Sequence, residues 1–427
     1  MKAGRVPALA NALSSPELRK RLAFTGLGLV IFTVGSHIPL PGINQEALSQ
    51  LFAGGGLLDL LDMFSGGALK RFSIFALGIM PYINASIMMQ IFTYAFPALE
   101  EMQRERGEEG RRIIGKWTRY LTLVVAVIQG VSFLALFSQQ GSSILLRDTV
   151  MEKSIVVLTL VAGTAFLMWL GDEMTEKGIG NGVSLLIFSG VAMQFPTLFA
   201  TQIQIVRTDP TRLGSFVGFI VMLLVLIAAI VYIQLSERRI PIRYSTRTVG
   251  QRVVGGQVSY LPVRVDIAGV IPIIFAVSAL LLPQTIANFW DQIRPAVDQF
   301  MASSWYFLTL GLLVFGFTFL YSSIVFKPEE IAKNLKKAGG FIPGIRPGQQ
   351  TEAFVAQIQE RITLIGGIFL AVIAVLPTIL AQRLGVAQYA IGGTGLLIIV
   401  GVSLDTMRQL EAHVVSRQYK GFMRPGS

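Results

Sequence analysis

The stretch FALGIMPYINASIMMQ, residues 75–90, lies inside an apolar run long enough for a membrane helix, yet it carries Gly78, Pro81, Asn84, Ser86 and Gln90. A helix that only anchors a protein in lipid has no use for residues that weaken it or that demand hydrogen-bond partners. The run therefore reads as a span that turns one side to protein or to a polar path. Working outward from it, ten apolar blocks can be read, at about 22–40, 72–96, 119–138, 154–171, 183–204, 214–235, 267–290, 305–326, 362–382 and 390–404. Blocks of roughly 20 residues match the thickness of a bilayer's hydrocarbon core. With 52% hydrophobic and 14% charged residues, the chain predicts an all-α polytopic membrane protein with ten transmembrane helices.

Orientation follows from the cations. With the N-terminus inside, 28 of the 36 Lys and Arg fall in inside segments and 8 in outside loops, the asymmetry that the positive-inside rule requires for two cytoplasmic termini. Residues 1–21, MKAGRVPALANALSSPELRKR, read as a retained cytoplasmic arm and not a cleaved signal peptide, and residues 405–427 as a cytoplasmic tail. The cytoplasmic membrane is the expected location.

The ten blocks contain no Asp, Glu, Lys or Arg away from their ends. Ion-coupled transporters keep such groups inside the membrane because the coupling step needs them, so a coupled small-solute transporter is disfavoured, though it stays the chief rival. The only histidines, His37 and His413, are predicted on opposite sides of the membrane, and cysteine is absent. No metal-binding HExxH, nucleophile elbow or phosphate-binding loop occurs. The chain is expected to have no catalytic chemistry, no cofactor and no metal, and to draw its driving energy from elsewhere.

Two long loops lie on the predicted cytoplasmic side. Residues 236–266 carry Arg238, Arg239, Arg243, Arg247, Arg252 and Arg264 but no lysine, and their alternating β-branched and polar residues around Gly255 and Gly256 predict a small hairpin. Arg presents a planar fork that binds phosphate and carboxylate, which suits docking to RNA or an acidic protein. Topology alone also accounts for basic residues on this side. In residues 327–361, Pro343, Gly344, Pro347 and Gly348 flank Arg346 and predict a tight projecting turn with one cation at its tip. Outside, LLDLLDMFS lies between glycine clusters at 54–56 and 66–67; nine residues rise only about 14 Å as a helix, too short to span. An interfacial helix resting on lipid is its ordinary explanation.

GIMPYINAS, WLGDEMTEKGIGNGVSLLI (169–187), the Arg-rich loop and FIPGIRPGQQT together resemble the SecY family of bacterial protein-conducting channels, over essentially the whole chain. The resemblance implies two inverted five-helix halves, 22–204 and 214–404, hinged by an external loop at 205–213 around a central pore. It implies that the pore is ringed by Ile79, Ile83, Val183, Ile187, Ile274 and Ile398, and that residues 57–67, among them Leu57, Leu58, Asp59, Leu60, Leu61, Asp62, Met63 and Phe64, form a plug. Isoleucines facing lipid or core are the commoner fate of such residues. A lateral gate is implied where the second and third spans meet the seventh and eighth; Asn84, Ser86 and Gln90 with Ser278 are expected to bond weakly across it. Pro81, Pro272 and Pro283 are expected to weaken their helices, Asn181 to cap the fifth span, and Gly178, Gly180 and Gly182 to allow the tight turn before it. The implied partners are the small membrane subunits SecE and SecG, the SecA motor ATPase, a translating ribosome through its rRNA and proteins, signal sequences, unfolded polypeptides and membrane lipids.

Overall fold

In lipid the backbone must satisfy its own hydrogen bonds, so apolar blocks of this length fold as helices. A computed structural model describes residues 16–53, 62, 65–139, 145, 149–244, 247–249, 252–254, 258–287, 290, 292–383 and 393–422. The first part of the chain forms α1 (Pro16–Gly35), the short α2 (Gln45–Ala53), α3 (Met80–Ala95), α4 (Pro97–Glu105), α5 (Gly107–Gln139), α6 (Val150–Lys177), α7 (Gly182–Ala192) and α8 (Gln194–Thr208). A single 3-10 turn at Pro210–Arg212 leads to α9 (Leu213–Leu235). Strands β1 (Glu237–Tyr244), β2 (Arg247–Val249), β3 (Arg252–Val254) and β4 (Val258–Arg264) follow. The chain continues through α10 (Ile271–Ala287), α11 (Arg294–Ala302), α12 (Ser304–Val325), α13 (Pro328–Lys337), β5 (Gly340–Phe341), α14 (Gln349–Arg383) and α15 (Gly393–Phe422).

Each predicted block holds helix, and six helical stretches among the described residues are long and apolar enough to cross a membrane on length and composition alone. The second block departs most from expectation, because its helix begins only at Met80. Residues 66–79 are turns that pack against the chain after α1: Leu40 donates its N–H to the Phe72 carbonyl at 3.0 Å and Ile74 donates to that of Ile38 at 3.1 Å. Two contacts hold this segment in place. Phe75 stacks between Phe32 and Phe166, with ring centroids 6.3 and 5.8 Å away, and a Cβ on Gly163 would lie 2.0 Å from the Ile74 carbonyl oxygen.

This placement corrects the expected role of two prolines. Pro81 and Pro272 fall in the first turns of α3 and α10, where the N–H that proline lacks would be unsatisfied anyway, so they start helices and do not weaken them. Only Pro283 sits inside α10.

The Arg-rich loop folds as a nested antiparallel ribbon. β1 pairs with β4, Arg238 opposite Val263 and Ile240 opposite Leu261, and β2 pairs with β3, Val249 opposite Arg252. The ribbon therefore doubles back between 249 and 252, not around Gly255 and Gly256, which lie outside the described residues. β5, from the next loop on this side, joins the other edge of β1 with Arg243 opposite Phe341. One sheet, in the order β4-β1-β5, thus unites both large loops over a small apolar core of Ile240, Val263, Ile342, Val355, Ile358 and Ile362.

Candidate pore, gate and docking surfaces

The six aliphatic residues predicted to ring the pore come from four helices and meet in one hydrophobic core. Ile79 caps α3, and its carbonyl accepts the Ile83 N–H at 3.1 Å, so the two side chains are one turn apart on the same side. Val183 and Ile187 are likewise four apart on α7, whose start is set by its sequence. The Asn181 side chain accepts the Ser184 N–H at 3.0 Å, as an N-cap should, and Gly180 takes a φ of +92°. A Cβ on Gly182 would stand 2.1 Å from the Gly171 carbonyl oxygen, so only glycine lets α7 approach α6 this closely. Ile79, Ile83, Ile187 and Ile398 are buried, while Val183 and Ile274 are partly so.

Ile187, Ile274 and Ile398 line a single cavity of about 510 Å³. Its remaining wall is polar where the spans reach the side bearing the Arg-rich loops: Asn181 and Ser184 before and on α7, Gln234 at the end of α9, Asp266 before α10, and Asp405, Arg408 and Gln409 on α15. Ile398 and Asp405 are seven residues apart, about 10 Å of helix. The result is a polar vestibule over an aliphatic floor. Hydrogen bonds stitch this rim together: Gly180 donates its N–H to Gln409 Oε1 at 3.1 Å, Arg408 Nη2 donates to the Gln234 carbonyl at 2.6 Å, and Ile179 donates to Thr25 Oγ1 at 3.0 Å. Asp266 Oδ1 accepts the Gly269 N–H at 2.8 Å. Part of the Asp266 side chain opens to the cavity, but the protein packed around its carboxyl pushes it up to about 7, and the neighbouring Asp405 carboxylate acts in the same direction. The sequence reading missed this cluster; the i, i+3, i+4 series Asp405, Arg408 and Gln409 at the inner end of the last span was the available signal.

At the predicted gate, α3 packs against α10, yet among the described residues none of the expected bonds across that seam is present. Gln90 Nε2 reaches Ser86 Oγ on its own helix at 3.4 Å. Asn84 Oδ1 and Ser278 Oγ are buried with no hydrogen-bond partner among the described residues. Whether such groups meet depends on helix rotation, which composition does not reveal. By contrast α12 and α14 are bonded firmly, Ser322 Oγ to Thr363 Oγ1 at 2.8 Å and Gln359 Nε2 donating to the Ser322 carbonyl at 2.9 Å.

Of the predicted plug, Leu57, Leu58, Asp59, Leu60, Leu61, Met63 and Phe64 lie outside the described residues. Asp62 is buried, and its Oδ1 accepts the N–H groups of Leu69 and Lys70, each at 3.0 Å, and the Ser65 hydroxyl at 3.3 Å. Burial pushes this carboxyl up even against those donors. On the opposite side, Arg238, Arg239, Arg243 and Arg346 are exposed, and Arg239 pairs with Glu237 at 2.7 Å. Arg238, Arg243 and Arg346 make no ion pair among the described residues. The side chains of Arg247 and Arg252 lie outside the described set. The Arg346 turn is tight as expected, with Gly344 and Gly348 at φ +81° and +112° and Thr351 Oγ1 donating to the Arg346 carbonyl at 2.9 Å.

Fold and site define a multi-span helical membrane protein with a cavity whose wall is polar at one end and lined by Ile187, Ile274 and Ile398 at the other. The SecY family profile matches residues 73–407. The chain is 44% identical over 418 residues to the protein translocase subunit SecY of Aquifex aeolicus, covering 96% of this chain and 97% of that one. It is 41% identical to the SecY subunit of Thermus thermophilus, over 97% of both chains. Its fold matches a solved protein-conducting channel with a TM-score of 0.67 at 17% identity, covering 96% of this chain and 95% of the other. Sec61 in a canine ribosome-channel complex matches with a TM-score of 0.63 at 16% identity over the same shares. The chain belongs to the SecY family of protein translocase subunits.

Proposed function

We propose that this chain is the large subunit of a channel that moves unfolded polypeptides across the cytoplasmic membrane and releases membrane segments sideways into lipid. The observation that carries this reading is the convergence of Ile187, Ile274 and Ile398, from three helices, on one cavity, in a core shared with Ile79, Ile83 and Val183. A waist of aliphatic side chains resists wetting by water and ions, yet it is non-directional and can deform around any sequence. A ring of charges would select ions and hold half of all substrates too tightly. The family's function is transport, and no catalytic step is assigned.

Residues 22–204 and 214–404 act as two five-helix halves hinged at 205–213, with residues 57–67 as the plug. The seam between α3 and α10, carrying Asn84, Ser86, Gln90 and Ser278, is the lateral exit. Arg238, Arg239, Arg243, Arg247, Arg252 and Arg346 form the cytoplasmic docking face for a SecA-type motor or a translating ribosome, with SecE-like and SecG-like subunits completing the channel. Arg238 and Arg243, exposed and without an ion pair among the described residues, stand on a sheet shared by both loops and support that face. The decisive test replaces Ile83, Ile187 and Ile274 by Gly and records current across planar bilayers. The resting channel should then leak ions, and unchanged conductance removes the waist.

A further inference from the structure

Resting on that reading of the cavity as the vestibule of a closed channel, we propose that Asp266 is a positioning residue, part of a latch that holds the start of α10 shut and responds to acidity on the side bearing the Arg-rich loops. Asp266 caps the turn that leads into the helix carrying Ile274 and Ser278, its Oδ1 accepting the Gly269 N–H at 2.8 Å. The Gln234 side chain, from the last turn of α9, lies beside the same carboxyl and opposes its upward shift. Arg408 of α15 donates to the Gln234 carbonyl at 2.6 Å and stands 3.7 Å from Asp405. Asp266 therefore lies where α9, α10 and α15 meet, on the wall that also bears Ile274 and Ile398. The ionisable groups on that wall are Arg264 from β4, Asp405 and Arg408 from α15, and Tyr321 from α12; α7 brings only the non-titrating Asn181 and Ser184.

The direction of the response follows from where the carboxyl is hydrated. In the closed arrangement, burial lifts it to about 7. When the start of α10 leaves α9 and α15, the protein packed around the carboxyl is replaced by water and its affinity for protons falls back towards the ordinary carboxylate value of 3.8. The closed state thus binds a proton that the open state gives up, so acid favours closure and alkali favours opening. The preference for closure is fully present below about pH 3.8, declines as pH rises, and is spent once pH has risen through about 7. Between about pH 8 and about pH 6 the open-to-closed ratio should fall about tenfold.

The test uses the full chain with its companion subunits in planar bilayers, carrying Ile83→Gly so that openings are frequent. Acidifying the side that bears the Arg-rich loops should lower the open-to-closed ratio about tenfold, and acidifying the other side should not. Asp266→Asn should abolish the dependence and Asp266→Glu should restore it. Absence of any current sinks the channel reading and the latch with it. Current without side-specific pH dependence, or a dependence that survives Asp266→Asn, overturns the latch alone. Infrared spectroscopy gives a readout independent of current: a protonated carboxyl band present near pH 6, lost near pH 8 and missing from Asp266→Asn. A band unaffected by that substitution likewise overturns the proposal.

Discussion

Asn84 on α3 and Ser278 on α10, two helices that pack together, have buried oxygens that find no partner among the described residues. A polar group buried bare costs about 1–3 kcal/mol, so the closed seam is held together less tightly than its apolar contact would allow. Replacing Asn84 by Leu and Ser278 by Ala should stabilise closure by about 1–3 kcal/mol for each group removed. Single-channel recordings should show a lower open frequency, and weakly apolar signal sequences should engage less often; an unchanged open frequency contradicts this account. Their polarity inside an apolar run was legible in the sequence, because bilayer-length blocks leave few reasons for Asn. Their lack of partners was not, since it depends on how far each helix is rotated about its axis. Gly182 shows the converse. Its motif marked a tight turn, but the reason glycine is required became visible only with the Gly171 carbonyl standing against it. Gly182→Ala should displace α7 from α6 at a cost of about 1–3 kcal/mol, seen as a lower melting temperature in detergent.

At the scale of elements, two helix seams are held together differently. α12 and α14 share Ser322, Thr363 and Gln359 in a buried, mutually bonded set, whereas α3 and α10 share none of this kind among the described residues. Ser322→Ala should leave Thr363 and Gln359 short of partners and destabilise the protein by about 1–3 kcal/mol, readable in thermal unfolding. Helix starts were partly legible: Asn181 announced itself as a cap, but Pro81 and Pro272 did not announce themselves as first-turn residues. Hydropathy sees an apolar run and cannot see that residues 66–79 spend it on turns packed against Phe32 and Phe166. The alternation of the Arg-rich loop gave away its ribbon. β5, two residues long, was too short to leave any pattern.

For the whole molecule, the blocks and the family motifs carried most of the architecture, because a bilayer tolerates few alternatives. The vestibule was less legible, since its wall draws on α7, α9, α10, α12 and α15, which lie far apart in sequence. Deleting residues 57–67 should lengthen open bursts in bilayer recordings if that segment closes the resting pore. Charge reversal at Arg346, or at Arg243 together with Arg238, should weaken binding of the motor or ribosome while leaving the protein's own insertion intact. Cosedimentation at low and high salt checks this, and binding that matches the parent in both variants leaves these cations a purely topological role. The shared sheet has a mechanical corollary. β1 leaves directly from the end of α9, and β5 lies between α13 and α14, so a load applied to either loop is divided between them before it reaches the bilayer. A force pressing on one finger of this handle would tilt spans on both sides of α10 together, arriving as torque shared by α9 and α14.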